Sequence, residues 1–230
     1  MVGCAQSGPD DGLWSDDVAA QVEWVLAWRA RHPTGGLPPV RVTPELFVAL
    51  HNVARQTDPR AGAAGRLIEL VHWSHINLLG YHTTSREVTD GVLAFYRGVV
   101  KLLPEGTPWL CRAQRGLGVA LHRRYAHTYD HADLDEAIGI LESALGSARD
   151  GPVYLVECLS SLGIALRDRH IHAGREDPAD LHRAIDVLHQ ALRAAPPDYI
   201  EMEGLLTNLG NALHERYDLT NDLADLDQAI

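Results

Sequence analysis

Histidine is the side chain in this sequence that most suggests chemistry, because imidazole binds metal ions and transfers protons near neutral pH. The chain of 230 residues has 13 histidines. A zinc site needs three or four converging ligands, usually including cysteine or carboxylate, and no histidine group recurs elsewhere at the same spacing. We therefore expect no metal, and favour solvent-facing or capping histidines over pH-sensitive contacts. The two closest groups are His72, His75 and His82, and His122, His127 and His131.

Cys158 and His170 come nearest to a nucleophile and its base. They are 12 positions apart (170 − 158) on what should be one helix, too far for a hydrogen bond. The three cysteines, Cys4, Cys111 and Cys158, form no Cys-x-x-Cys pair and are odd in number, as expected for reduced thiols. The sequence favours structural cysteines, and we expect no enzyme.

The run Gly116-Leu117-Gly118 resembles the start of a dinucleotide-binding loop. However, no strand precedes it, its third glycine is missing, and the same place recurs as Ser161-Leu162-Gly163. These features favour helix packing over cofactor binding. We therefore expect no cofactor.

The formal net charge of the chain is −11. A phosphate backbone is bound by clustered lysine and arginine, so this charge disfavours non-specific binding to nucleic acid or anionic lipid. No stretch approaches the roughly 20 apolar residues of a membrane span, and residues 1–12 lack the basic and apolar regions of a secretory signal. We expect a cytoplasmic protein with no nucleic-acid and no membrane partner.

Two short blocks recur three times and reveal the elements that position these side chains. The glycines of the first block are 45 (163 − 118) and 47 (210 − 163) residues apart, a period typical of stacked helical pairs. The first block is Leu117-Gly118-Val119-Ala120-Leu121, Leu162-Gly163-Ile164-Ala165-Leu166 and Leu209-Gly210-Asn211-Ala212-Leu213. The second block begins Asp133-Leu134, Asp180-Leu181 and Asp225-Leu226 and ends Ala137-Ile138, Ala184-Ile185 and Ala229-Ile230.

Each unit should hold the first block on one helix and the second block on the next. A glycine inside a helix costs about 1 kcal/mol against alanine, so its recurrence indicates close packing by the partner helix. We expect the second helix to supply the other small surface through Ala137, Ala184 and Ala229. Asp133 with Glu136, and Asp225 with Gln228, have the spacing of a reciprocal cap, which would start two of the second helices at the aspartate.

The sequence also predicts helices and turns outside the two repeated blocks. Apolar spacing predicts a helix from Trp14 to Arg31, and Thr43, Pro44 and Glu45 have the pattern of a helix start. Proline and glycine at 104–108, 151–152 and 196–197 predict turns between helix pairs. We predict a flexible tail over 1–12, a helical lead-in over 13–60, a degenerate repeat over 61–109 and repeats over 110–230, the last truncated.

The Leu-Gly pair, the small and apolar residues at Ala184 and Leu188, and the later Pro196 resemble the tetratricopeptide pattern. The units are longer than that repeat and look like the long repeats, of about 45 residues, of actinobacterial and fungal proteins that often carry a caspase-like CHAT peptidase domain. The resemblance covers about residues 110–230. It implies an all-α fold, a right-handed solenoid of antiparallel helix pairs.

The resemblance also implies which residues face the concave groove. In tetratricopeptide arrays the groove-facing residues lie three positions before the glycine, and one, four and five positions after it. Here that surface would change from basic to mixed to polar-acidic, which could select a peptide by charge. The polar positions expected to bind a partner are Arg115, His122, Arg123, Arg167, Asp168, Asn211, His214 and Glu215.

An arginine follows each repeated glycine by six positions, at Arg124, Arg169 and Arg216. A residue that recurs in every unit more naturally serves the unit itself. We therefore favour an ion pair or carbonyl cap within each unit over an arginine row for an acidic partner. The expected ion-pair partners are Asp133, Asp180 and Asp225.

The favoured function is a non-catalytic scaffold that binds a protein or peptide. Because the sequence stops at Ile230 inside a second helix, we expect it to be the front of a longer protein. The alternative is therefore a sensor or regulatory part of a CHAT peptidase whose catalytic domain lies beyond Ile230. Whether the lead-in helices cover the groove is left open by the sequence.

Overall fold

The computed structural model describes residues 17–34, 36–38, 42–56, 61–78, 85–147, 151–172 and 178–229. All regular secondary structure within these ranges is α-helical, which confirms the all-α prediction. The predicted tail, Cys4 and His82 lie outside the described residues. None of the described helices is long and apolar enough to cross a membrane.

The helices begin and end close to the signals in the sequence. Thr43 caps α2 by accepting a hydrogen bond from the Leu46 amide (3.2 Å), with Pro44 at the first helical position. Pro108 and Pro152 likewise open helices, where the missing N–H costs no hydrogen bond. The helices are α1 (Val18–Arg31), α2 (Pro44–Ala54), α3 (Ala61–Leu78), α4 (Arg86–Leu102), α5 (Pro108–Thr128), α6 (His131–Ser147), α7 (Pro152–His172), α8 (Ala179–Ala194), α9 (Met202–Thr220) and α10 (Leu223–Ala229).

From α4 onward each helix packs against the next one along the chain. The contacts are most extensive within the pairs α5 and α6, and α7 and α8, which carry the repeated blocks. Helix α5 also touches α3 and α7, and α7 touches α9. The odd-numbered helices α3, α5, α7 and α9 are therefore neighbours in space, although each begins 44 to 50 residues after the previous one (108 − 61, 152 − 108 and 202 − 152 give 47, 44 and 50).

The lead-in helices pack at the amino-terminal end of this series. Helix α2 contacts both α3 and α4, which touch each other much less than the helices of the later pairs do. Phe47 of α2 lies edge-on to Phe95 and Trp109, with ring centroids 5.6 and 5.4 Å apart. Among the described residues neither α1 nor α2 contacts α7 or α9. The described lead-in therefore leaves those two helices uncovered.

Gly118 and Gly163, the first two of the three repeated glycines, are sites of close helix packing, as predicted, but the partner residue differs from the prediction. A Cβ atom on Gly118 would lie 2.6 Å from Cγ of Leu141, and one on Gly163 would lie 2.6 Å from Cγ of Leu188. The leucines, four residues after Ala137 and Ala184, fill the space over the glycines. A large side chain inserted over a bare backbone, rather than two small surfaces in contact, explains the glycine.

The recurrent arginines form the predicted ion pairs within the units. The Arg124 guanidinium donates to Asp133, that of Arg169 to Asp180 (2.6 and 2.7 Å), and that of Arg216 to Asp225. The Asp133 and Asp225 side chains are only 3% and 5% exposed, so in these two units the pair joins two helices through a buried carboxylate. These contacts confirm the structural interpretation of the repeated arginines.

The predicted helix start at Asp133 and Asp225 is wrong by about one turn, because another aspartate is better placed to cap the helix. Asp130 Oδ1 accepts from the Ala132 amide (3.1 Å), and Asp222 Oδ1 from the Ala224 amide (3.0 Å). The residues before them, Tyr129 and Asn221, have φ of 55° and 54° and end α5 and α9. Asp133 and Asp225 lie inside the first turn, and their carboxylates bind arginine instead of capping the helix.

Candidate functional site

The eight candidate residues lie on three neighbouring odd-numbered helices. Arg115, His122 and Arg123 are on α5, Arg167 and Asp168 on α7, and Asn211, His214 and Glu215 on α9. Because α7 contacts both α5 and α9, the three sets lie on adjacent helices. We call these eight residues and their direct polar partners the odd-helix surface.

The most connected group on this surface is centred on Asp168. Its Oδ2 lies 2.8 Å from Nε2 of His122, and its Oδ1 accepts from Arg167 at 2.8 Å. Burial would raise the pKa of the Asp168 carboxyl, but the His122 hydrogen bond and the Arg167 charge outweigh it and lower that pKa. The Asp168 carboxylate therefore stays ionised and links two repeats.

Arg115 also forms an ion pair with the next repeat. Its Nη1 lies 3.4 Å from the Glu157 carboxylate, and the two side chains are only 14% and 22% exposed. Reversing the charge of Arg115 or Arg167 would therefore set carboxylates against each other. At the start of the surface, which the sequence predicts to be basic, Arg115 and His122 are already paired with carboxylates, whereas Arg123 forms no ion pair with a described residue.

Arg112, which was not predicted from the sequence, contacts both neighbouring odd-numbered helices. Its guanidinium donates to Glu69 of α3 at 2.5 Å and lies over the Tyr154 ring of α7, 3.8 Å from the centroid. Glu157, the partner of Arg115, was missed as well. The signal available in the sequence was the separation of the contacting residues. The three pairs are 43 (112 − 69), 42 (154 − 112) and 42 (157 − 115) residues apart, slightly less than one repeat.

The open part of the surface is at α9 and at the end of α5. Asn211 and His214 are exposed, and His214 has Asp218 3.6 Å away on its own helix. Arg123 is half-buried and forms no ion pair with any described residue. Next to them Asn208 donates to the hydroxyl of Ser160 (3.3 Å), so the contact between α7 and α9 is also polar. These side chains are available to a partner.

The described histidines of these groups contact other kinds of side chain. His72 bonds the hydroxyl of Tyr96 at 2.8 Å, the His75 ring lies tilted against that of Phe95 with centroids 4.3 Å apart, and His122 bonds Asp168. Among the described residues, no three His, Cys, Asp or Glu side chains are placed to hold a metal ion. The Cys158 sulfur lies 3.8 Å from that of Cys111, both buried.

Comparison of the chain with protein-family models, with curated proteins and with solved structures finds no match.

Proposed function

We propose that this chain is a non-catalytic scaffold, cytoplasmic in location, that binds a protein or peptide. It would do so as a right-handed solenoid of antiparallel, tetratricopeptide-like helix pairs, with the odd-helix surface as the binding groove. The observation that carries the proposal is the row of polar side chains at corresponding positions of α5, α7 and α9, three helices that are neighbours in space.

Two properties of this surface favour a binding role. First, contacts such as His122 to Asp168 hold side chains of different repeats in place before any partner arrives. A preorganised surface loses less conformational freedom on binding, so more of the contact energy appears as affinity. Second, Arg123, Asn211 and His214 offer a cation, an amide and an imidazole to a partner's carboxylates and backbone amides.

The test selects ligands from a random peptide display library on the whole chain, and measures the affinity of the selected peptides by fluorescence polarisation. The variant Arg123→Ala/Asn211→Ala/His214→Ala removes the open groups and leaves the ion pairs of Arg115 and Asp168 intact. We expect it to weaken peptide binding by at least about tenfold, or about 1.4 kcal/mol.

The matched control is Arg193→Ala/Gln190→Ala/His182→Ala, which removes the same kinds of side chain from exposed positions of α8. It should bind the selected peptides like the wild type. Equal loss in both variants, or no selected peptide that depends on Arg123, Asn211 and His214, would reject this surface as the binding site.

A further inference from the structure

We infer that a cleft between α1, α2 and α3 binds a small organic anion with an apolar body, such as an aromatic carboxylate or phosphate ester. The cleft has a volume of about 750 Å³, and the first turn of α5 closes one side of it. That volume lies in the range of small-molecule sites, about 300–1,000 Å³. Within the described residues, none of the three helices α1, α2 and α3 around this anion cleft contacts α7 or α9.

His51 is the first indication of a ligand. It lines the cleft, is only 3% exposed, and neither ring nitrogen has a hydrogen-bond partner in the part of the chain that the structure describes. A buried polar group without a partner costs about 1–3 kcal/mol. Burial, and then the charge of Arg55, lower the pKa of His51, so the ring is neutral and presents one donor and one acceptor. A carboxylate or phosphate oxygen of a ligand would accept a hydrogen bond from the ring N–H.

Charge is the second indication. Arg29, Arg55 and Arg66 line the cleft, against one carboxylate, Glu69, which already binds Arg112. Arg55 and Arg66 are exposed and form no ion pair with any described residue. In a chain of formal net charge −11, two neighbouring arginines that form no ion pair with a described residue are a local exception. It favours an anionic ligand, because two guanidinium groups can bind a carboxylate or phosphate.

The third indication is the shape of the cleft wall on α3. Gly62 and Gly65 are one turn apart on this helix and both line the cleft. A Cβ atom on Gly65 would meet nothing within 4 Å, so no packing neighbour accounts for this glycine inside a helix. Ile68 and Trp109 supply apolar surface beside it. The arrangement leaves room for an apolar body next to the cations.

The test uses two fluorescent probes with the same aromatic body, 8-anilinonaphthalene-1-sulfonate and the uncharged N-phenyl-1-naphthylamine, titrated against the folded whole chain. We expect the sulfonate to bind more tightly than the neutral probe. The variant Arg55→Glu/Arg66→Glu should weaken sulfonate binding at least about tenfold and change neutral-probe binding less than about twofold. Its matched control, Arg86→Glu/Arg193→Glu, makes the same charge change at exposed positions of α4 and α8 and should bind like the wild type.

A second pair of variants tests the cleft without changing any charge. Gly65→Phe should fill it and weaken both probes at least about tenfold, whereas Gly65→Ala should leave both unchanged. Displacement of the sulfonate by benzoate would identify a carboxylate site, and displacement by phenyl phosphate a phosphate site. Wild-type affinity in Arg55→Glu/Arg66→Glu or in Gly65→Phe, or failure of both acids to displace the probe, would overturn the inference.

Discussion

The side chain of Leu141 lies directly over the backbone of Gly118, so that a Cβ atom on the glycine would be 2.6 Å from the leucine Cγ. Leu188 and Gly163 have the same relationship in the following unit, at the same distance. Both leucines are 1% exposed. Because nothing larger than hydrogen fits beneath the leucine, the glycine sets how closely the two helices of a unit approach.

Replacing Gly118 with alanine should destabilise the protein. Alanine gains about 1 kcal/mol in helix propensity, but the added methyl group must displace a packed leucine, and overpacking costs typically about 1–3 kcal/mol. We expect a net loss on the order of 1 kcal/mol in the free energy of unfolding, measured by urea denaturation.

The matched control is Gly139→Ala on the exposed side of α6, where an added Cβ atom would meet nothing within 4 Å. There only the propensity gain of up to about 1 kcal/mol remains, so that variant should be more stable than the wild type. A stabilising Gly118→Ala would contradict the packing argument.

The sequence predicts contacts within a unit better than contacts between units. Gly118 and the pairing of Arg124 with Asp133 were predictable because each recurs in equivalent places and must therefore serve the unit. The identity of Leu141 was missed because repetition indicates close packing without indicating which side chain fills the space. Pairs such as Arg112 with Glu69 depend on how one unit is rotated against the next, which the repeat period does not specify.

The anion cleft had no sequence signal of its own. His51 lies on α2, Arg55 directly follows α2 and Arg66 lies on α3, all outside the regular repeats, so no period relates their positions. Their proximity follows from the packing of α2 against α3.

The helix cap at Asp130 was missed for a different reason. Asp133 and Glu136 also have the spacing of a cap, and only the buried ion pair of Asp133 with Arg124 shows that Asp130 is the capping residue.

The pair of Arg124 and Asp133 predicts an asymmetric effect of substitution. Arg124→Met leaves the Asp133 carboxylate, 3% exposed, with the Thr128 hydroxyl at 3.5 Å as its remaining side-chain partner among the described residues. Removing one partner of a buried ion pair costs about 3–5 kcal/mol because the remaining charge is uncompensated. We expect a loss on the order of 3 kcal/mol in the free energy of unfolding, and a smaller loss in Arg124→Met/Asp133→Ala, which removes both charges.

The control for this experiment is Arg183→Met, which breaks the pair of Arg183 with Glu142. Those side chains are 48% and 40% exposed, so solvent screens the charges and the expected loss is no more than about 1 kcal/mol. If both arginine variants lose equal stability, burial of Asp133 is not what makes its pair important.

His72 makes the stability of the fold depend on pH. Burial, followed by the charges of Arg115, Arg112 and His75, lowers the pKa of His72 to about 3. Since this pKa is below the unfolded value of about 6.5, the unfolded chain binds the proton more tightly, and stability falls as pH drops from about 6.5 towards 3. Between pH 7 and 5 the expected loss from this group is about 2 kcal/mol, measured by urea denaturation at each pH.

The variant His72→Phe/Tyr96→Phe removes both the titrating ring and the hydroxyl that it bonds, so no buried polar atom of the pair is left unpaired. Its unfolding free energy should fall less steeply between pH 7 and 5. Some dependence should remain, because burial also lowers the pKa values of His51 and His75. The control is His182→Gln, an exposed position on α8, whose unfolding free energy should depend on pH as in the wild type. If the pH dependence is unchanged in the double variant, His72 is not its source.

The contact between Cys111 and Cys158 predicts two unreactive thiols. Their sulfur atoms lie 3.8 Å apart, and the residues are 0% and 1% exposed. The hydrogen bond between them and burial raise the pKa of the Cys158 thiol, and thiol reagents attack only the thiolate. In a Cys4→Ser background we expect the folded protein to react with Ellman's reagent only as fast as it unfolds, and both thiols to react at once in urea. The control is Gln190→Cys, an exposed position on α8, which should react immediately in the folded state. If the Cys4→Ser protein without this change reacts equally fast, the contact between Cys111 and Cys158 opens readily in the folded protein.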